Sequence, residues 1–250
     1  MRKPIIAVTG DYDPQSHQYY IKEEYIQAIS LAGGLPVVLY PSIEVPKEWS
    51  GDRQAWIEQY PLDERILEMA DGILFTGGDD VDPAFYGSEV LCVNGEIIPQ
   101  RDAFEIKLAR EAMGWKIPSL GLCRGIQLMA VSAGAKLCQD IFEKQTDWQH
   151  TQKAPTWYAT HSVQTEPGSR LRRVLGETVH VNSFHHQAVE AQCVGPFTVT
   201  ARAGDGIIEG IELPNHPYFV GVQWHPERMM HDPVQRALFE DFIEAARGNR

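Results

Sequence analysis

The chain has 250 residues, 43% of them hydrophobic and 22% charged, which is enough for one α/β domain with a substantial core. A net charge of −12 with no basic block to offset it argues against a nucleic-acid or acidic-membrane surface; Arg170, Arg172 and Arg173 read as a solvated face. No apolar stretch is long enough to span a bilayer, no linker or repeat divides the chain, and Met1-Arg2-Lys3-Pro4 lacks the apolar core of a signal peptide, so a cytoplasmic protein is expected.

The first half alternates between strand and helix. Pro4–Thr9 reads as a buried strand, and Tyr20–Ala32 as a helix with apolar residues at Ile21, Tyr25, Ala28, Ile29 and Ala32. Gly33-Gly34 ends that helix, and Leu35–Tyr40 follows as a strand. A polar loop containing Trp56 leads to a helix over Leu62–Met69 and a strand over Gly72–Thr76. Next come the turn Thr76-Gly77-Gly78-Asp79-Asp80-Val81-Asp82-Pro83, a helix over Asp102–Met113, a strand over Ile117–Leu122 and a helix over Gly125–Ala133. This spacing predicts a parallel sheet with right-handed crossovers, whose reactive groups collect at the carboxyl ends of the strands. Gly77, Cys123 and His225 all fall at such ends.

The second half changes character. Ser162–Thr165, Thr178–Val181, Phe197–Ala201 and Gly206–Ile211 are short strand-like runs between turn signals, the pattern of an antiparallel extension. Phe219–Trp224 then returns to the main sheet. Asp232 as N-cap and Pro233 at the first helical position open a final helix to Ala246.

Chemistry concentrates at two places. Four cysteines occur, at 92, 123, 138 and 193, none in a paired Cys-x-x-Cys spacing, and reduced thiols are expected. Cys123 stands between Gly121 and Gly125 where an apolar run meets a helix. That is the pattern of a nucleophile elbow, whose flanks must be small because backbone crowds the turn. A thiol there is exposed at a helix start, which favours the thiolate. A buried cysteine between two chance glycines has the same pentapeptide.

Downstream, Trp224-His225-Pro226-Glu227 ends another strand-like run. A thiol nucleophile needs a base, and the base needs a third group to fix its tautomer. Residues i and i+2 of an extended segment share a side, so Glu227 is expected beside the His225 ring. Acyl transfer also needs amides aimed at the developing negative charge. The residue after the nucleophile, Arg124, offers one, and the Gly77-Gly78 turn the second.

Gly121-Leu122-Cys123-Arg124-Gly125-Ile126-Gln127 with Trp224-His225-Pro226-Glu227 resembles the class I glutamine amidotransferase superfamily. The Thr76–Pro83 turn, Arg101-Asp102 and Val181-Asn182-Ser183-Phe184-His185-His186-Gln187 are similar to its stand-alone γ-glutamyl hydrolase branch, peptidase family C26. The resemblance covers nearly the whole chain. It implies a flavodoxin-like, mostly parallel sheet with helices on both faces and a small antiparallel extension.

The resemblance further implies Cys123 as nucleophile, His225 as base and acid, Glu227 as orienter, and the amides of Gly78 and Arg124 as oxyanion hole. Gln127 stands where the superfamily holds the glutamyl end of the substrate. The expected substrate is a small γ-glutamyl amide of aminobutyrate or a polyamine, as in putrescine breakdown, cleaved through a thioester without metal or other cofactor. Two rivals carry the same motifs: a glutaminase subunit feeding ammonia to a partner synthetase, and an idle thiol or binding module.

For the remaining residues two readings stand side by side. Ser183 and His185 contact the glutamyl group or merely build a turn, and the roles of Asn182 and His186 stay open. Arg101 and Glu105 form an i,i+4 pair with Asp102 capping the helix, or they touch substrate. Asp79, Asp80 and Asp82 read as turn residues rather than metal ligands. His17, His150, His161, His180, His216 and His231 read as structural or exposed. A homodimer is the base expectation for assembly.

Overall fold

The computed structural model describes residues 2–42, 51–144, 146 and 148–248. The chain opens with strand β1 (Ile5–Thr9), a small hairpin of β2 (Asp11–Asp13) and β3 (Gln18–Tyr20), helix α1 (Glu23–Leu31) and strand β4 (Leu35–Leu39). Helices α2 (Arg53–Gln59) and α3 (Arg65–Met69) precede β5 (Gly72–Phe75), then α4 (Pro99–Trp115), β6 (Ser119–Leu122) and α5 (Arg124–Ser132). The later part holds β7 (Leu137–Cys138), β8 (His161–Thr165), α6 (Arg170–Leu175), β9 (Thr178–Val181) and β10 (Ala188–Val189). It continues with β11 (Thr198–Ala203), β12 (Ile208–Glu212) and β13 (Phe219–Val222), and ends in α7 (Pro233–Arg247).

Nine strands form one sheet in the order β4-β1-β5-β6-β13-β12-β11-β8-β9. The first five run parallel, and β12, β11, β8 and β9 continue antiparallel on the far side of β13. The flavodoxin-like core and its antiparallel extension are therefore as expected, with β13 returning beside β6.

Side chains on the parallel strands alternate between two buried faces. Ile6, Val8, Leu74, Leu120, Leu122, Val220 and Val222 pack with Tyr25, Ile29, Leu171, Phe239 and Phe242 of α1, α6 and α7. Ala7, Ile73, Phe75 and Phe219 pack the other way, with Leu108, Ala112, Ile126 and Met129 of α4 and α5.

The local differences have local causes. Trp56 lies on α2 rather than in a loop; Asp52 caps that helix by accepting from the Gln54 and Ala55 amides. Residues 18–20 pair with 11–13, so α1 starts at Glu23 rather than Tyr20. The helix expected from Leu62 shortens to Arg65–Met69. Asp102 does not cap α4, because Pro99 starts the helix one residue after Ile98. Arg170 and Arg172 are not merely solvated: they pair with Asp241 and Glu177. Asp232 and Pro233 open α7 as expected.

The α5–β5 contact is close. A Cβ added at Gly125 would lie 2.2 Å from the Phe75 carbonyl oxygen, inside any allowed contact. Gly125→Ala should therefore destabilise by about 1–3 kcal/mol through overpacking. Urea unfolding checks this; an unchanged midpoint would mean that helix and strand can separate at no cost.

Candidate active site

Cys123 joins the end of β6 to the start of α5 with φ 54° and ψ −109°. A positive φ is costly for a residue with a Cβ, and such strain persists only when the surroundings over-determine it. Here the Cys123 amide donates to the Val222 carbonyl of β13 at 2.9 Å, while its own carbonyl accepts from Ile126. The flanking glycines are obligatory: a Cβ at Gly121 would sit 2.7 Å from the Gly125 carbonyl carbon. This is the elbow that the sequence pattern implies, but the thiol expected to be exposed there is buried.

β13 ends at Val222, and His225 follows at the head of a 3-10 turn over Pro226–Met229. Glu227 therefore reaches the ring through that turn, not along an extended strand, because Pro226 starts it. The His225 Nδ1–H donates to Glu227 Oε1 at 2.6 Å, with both side chains buried. Asn182 clamps the backbone of the same residue: its Oδ1 accepts from the His225 amide and its Nδ2 donates to the His225 carbonyl, both at 2.9 Å. Burial alone would lower the His225 pKa. The charges of Cys123 and Glu227 and the side-chain hydrogen bonds to both outweigh it and raise the imidazole to about 10.

The Gly77-Gly78 turn closes over the pair. A Cβ on Gly77 would lie 3.1 Å from His225 Cε1 and 3.4 Å from Cys123 Cβ, so the three residues converge on one point. The Gly77 amide already donates to Tyr25 Oη at 3.0 Å. The next amide, that of Gly78, is the one that matches the oxyanion expectation. Gly78 has φ 153°, and a Cβ there would meet Arg101 Nη1 at 2.1 Å, so only glycine fits.

Beneath the turn lies a buried ionic network. Arg101 donates from Nη2 to Thr76 Oγ1 and to the Gly77 carbonyl, from Nε to Glu105, and its Nη1 pairs with Asp11 at 2.7 Å. Arg124 binds Asp102 and Glu105. Burial pushes the Asp102 carboxyl up to about 6 against the pull of Arg124. Burial also raises Glu105, but Arg101 and Arg124 overcome it and hold that carboxyl below its ordinary value. The i,i+4 pair expected for Arg101 and Glu105 is present, within a larger network.

The substrate-binding candidates have other partners. Gln127 Nε2 donates to the Gln187 carbonyl at 3.1 Å and to Gln223 Oε1 at 3.3 Å. Ser183 Oγ lies 3.3 Å from His150 Nδ1, and His185 Nδ1 donates to the Gln187 carbonyl at 2.9 Å. From that stretch Phe184 accepts through its carbonyl from Cys123 Sγ at 4.0 Å. Its ring lies 6.0 Å from that of His225. Phe184 and Tyr25 are site residues that the sequence reading passed over. The phenylalanine carries no chemical signal, and the tyrosine looked like one more apolar position on α1. Asp80 and Asp82 act in the turn, Asp80 binding His186, Gln187 and the Gly95 amide, and Asp82 accepting from Ala84.

A fold of this kind with a thiol at the elbow and a histidine-glutamate pair at the adjoining strand end defines a class of thiol hydrolases and amidotransferases. The chain belongs to the peptidase C26 family, whose model matches residues 4–227, and is a glutamine amidotransferase-like hydrolase. It is 34% identical to the gamma-glutamyl-gamma-aminobutyrate hydrolase PuuD of Escherichia coli (strain K12), over 90% of this chain and 85% of that one. It is 32% identical to Protein NtpR of Enterococcus hirae, over 96% of this chain and 98% of that one. The glutaminase domain of Trypanosoma brucei CTPS, solved with bound acivicin, has the same fold, with a TM-score of 0.61 at 17% identity over 98% and 94% of the two chains. Among the described residues no helix is long and apolar enough to cross a membrane.

The raised His225 pKa has a pH consequence. Its contribution to stability is complete below the unfolded value of 6.5 and is lost as pH rises through about 10. The melting temperature of the wild type should therefore fall more steeply between pH 7 and pH 10 than that of His225→Gln. Parallel curves would show that the imidazolium is not the group responsible.

Proposed function

We propose that the protein is a cysteine hydrolase of γ-glutamyl amides, releasing glutamate and a small amine through a γ-glutamyl thioester. The observation that carries this reading is the strained Cys123 backbone at a strand end, directly beside the His225–Glu227 pair. The Cys123 thiolate attacks the γ-carbonyl, and the charge that develops on oxygen is received by the amides of Gly78 and Arg124. His225 gives its proton to the departing amine as the C–N bond breaks, leaving the thioester. The same imidazole then takes a proton from water, whose oxygen attacks the thioester carbon; the C–S bond breaks and the thiolate returns. Glu227 fixes the Nδ1–H tautomer, so that the opposite ring nitrogen serves the chemistry.

The conjugate of aminobutyrate is the first substrate to try, because the E. coli relative is named for it. Gln127, Ser183 and His185 support the wall of the glutamyl pocket, since their side-chain contacts run into the protein. A panel of γ-glutamyl amides, including the aminobutyrate, putrescine and spermidine conjugates, tests the reading against free glutamine. Cleavage of at least one conjugate should exceed that of glutamine by tenfold or more. Preferential ammonia release from glutamine would instead mark a glutaminase subunit.

Two variants test the roles. Cys123→Ala should lower turnover more than a thousandfold while the circular dichroism spectrum is retained; a loss under tenfold would refute the nucleophile assignment. Glu227→Gln should slow kcat less than His225→Ala does, because it disturbs orientation but leaves a base. The reverse ranking would show that the two roles are exchanged.

A further inference from the structure

A second cluster of chemically capable side chains lies behind the Phe184 stretch. Glu209 of β12 is fully buried, and its Oε1 lies 3.3 Å from His150 Nδ1, 3.5 Å from His185 Nε2 and 3.8 Å from His161 Nε2. His150 is fully buried as well, and His185 nearly so. The ligand-type atoms of His150, His185 and Glu209 fall within 4.8 Å of one another. These residues come from four separate segments: the loop before β8, the start of β8, the link between β9 and β10, and β12.

The outer nitrogen of each ring is already committed. His150 Nε2 faces Asp205 Oδ2 at 3.0 Å, His185 Nδ1 faces the Gln187 carbonyl at 2.9 Å, and His161 Nδ1 faces the Ser162 carbonyl at 3.3 Å. A carbonyl only accepts, so the Nδ1 atoms of His185 and His161 carry hydrogen. Their Nε2 atoms then turn toward Glu209. Yet no well-directed hydrogen bond joins those two Nε2 atoms to either Glu209 oxygen, despite complete enclosure; rings and carboxylate meet only at ion-pair distance. Buried polar atoms left unmatched in this way call for an explanation.

We propose that His150, His185 and Glu209, with His161 as fourth ligand, bind a divalent zinc-type cation. Three imidazole nitrogens and one carboxylate oxygen are a donor set suited to such an ion. A tetrahedral site with metal–ligand bonds near 2.1 Å separates its ligand atoms by roughly 3.4 Å. The three separations of 3.3, 3.5 and 3.8 Å from Glu209 Oε1 bracket that value. The outer hydrogen bonds to a carboxylate and to backbone carbonyls are those that orient metal-bound histidines. Glu209 and Asp205 together carry the two negative charges that a divalent ion neutralises. A cavity of about 440 Å³, lined in part by Thr146, Trp148 and Asp205, borders the cluster through Asp205, the partner of His150 Nε2.

The ion would act as a clamp, not as a reagent. His185 and His150 are already joined by the hydrogen bond from the His185 amide to the His150 carbonyl at 2.9 Å. The residue between Ser183 and His185 is the one whose carbonyl faces Cys123. Metal binding at this cluster would thus fix the wall of the site without touching substrate.

The test uses full-length Cys123→Ala protein, so that the nucleophile cannot bind metal itself. After chelator stripping it is titrated with Zn²⁺ by calorimetry and with Co²⁺ by visible absorption. The expected result is one Zn²⁺ per chain, a tetrahedral Co²⁺ spectrum and a rise in melting temperature of several degrees. Glu209→Gln on the same background should weaken Zn²⁺ binding at least tenfold. If that variant does not fold, His161→Gln, at the less enclosed edge of the cluster, decides in its place with the same expected loss. A parent that takes up no Zn²⁺, or a variant that binds as tightly as the parent, overturns the proposal.

Discussion

The guanidinium of Arg124, buried against Asp102 and Glu105, is the contact on which the geometry around Cys123 depends. Arg124 is the residue immediately after the thiol, so anchoring its side chain to α4 fixes the first turn of α5 and with it the elbow. Glu105 is shared with Arg101, whose other hydrogen bonds reach Thr76 and the Gly77 carbonyl. One set of buried charges therefore ties the segment holding Cys123 to the glycine turn. Removing a single partner from such a set costs about 3–5 kcal/mol, because an uncompensated charge remains. Replacing the whole set with apolar groups costs far less, so its value lies in position more than in net stability.

The strain at Cys123 makes sense against that background. A positive φ at a non-glycine residue relaxes unless both flanks are held. One flank is tied by Arg124 and by the close approach of Gly125 to Phe75, the other by the hydrogen bond from the Cys123 amide to Val222. That last bond comes from the strand whose extension carries His225. The same register that pairs Leu122 with Val222 therefore brings His225 alongside the thiol.

What could be read from the sequence follows the range of the interactions. Cys123 and His225 were legible because each stands at the end of an apolar run, and strand ends share one edge of a parallel sheet. The Arg101–Glu105 pair was legible because both residues lie on one helix. Their further partners, Asp11 and Arg124, come from other elements, and no spacing rule reaches them. Helix α2 was missed because its start depends on the Asp52 side chain and it buries little besides Ile57. His150 and His161 looked isolated because the carboxylate they face, Glu209, is nearly 50 residues or more further along the chain.

The stretch from Asn182 to Gln187 shows how these parts are joined. Asn182 holds the backbone of His225, and the Phe184 carbonyl faces Cys123. The side chains of Ser183 and His185 point the other way, to His150 and Glu209. Such alternation is what an extended segment imposes, since successive side chains leave it on opposite sides. Phe184 also bridges Thr151, which pins the segment halfway along. His186 and Gln187 then bind Asp80, two residues beyond Gly78. A short run with no regular structure of its own thus contacts His225, Cys123, the turn after Gly78 and the histidine cluster.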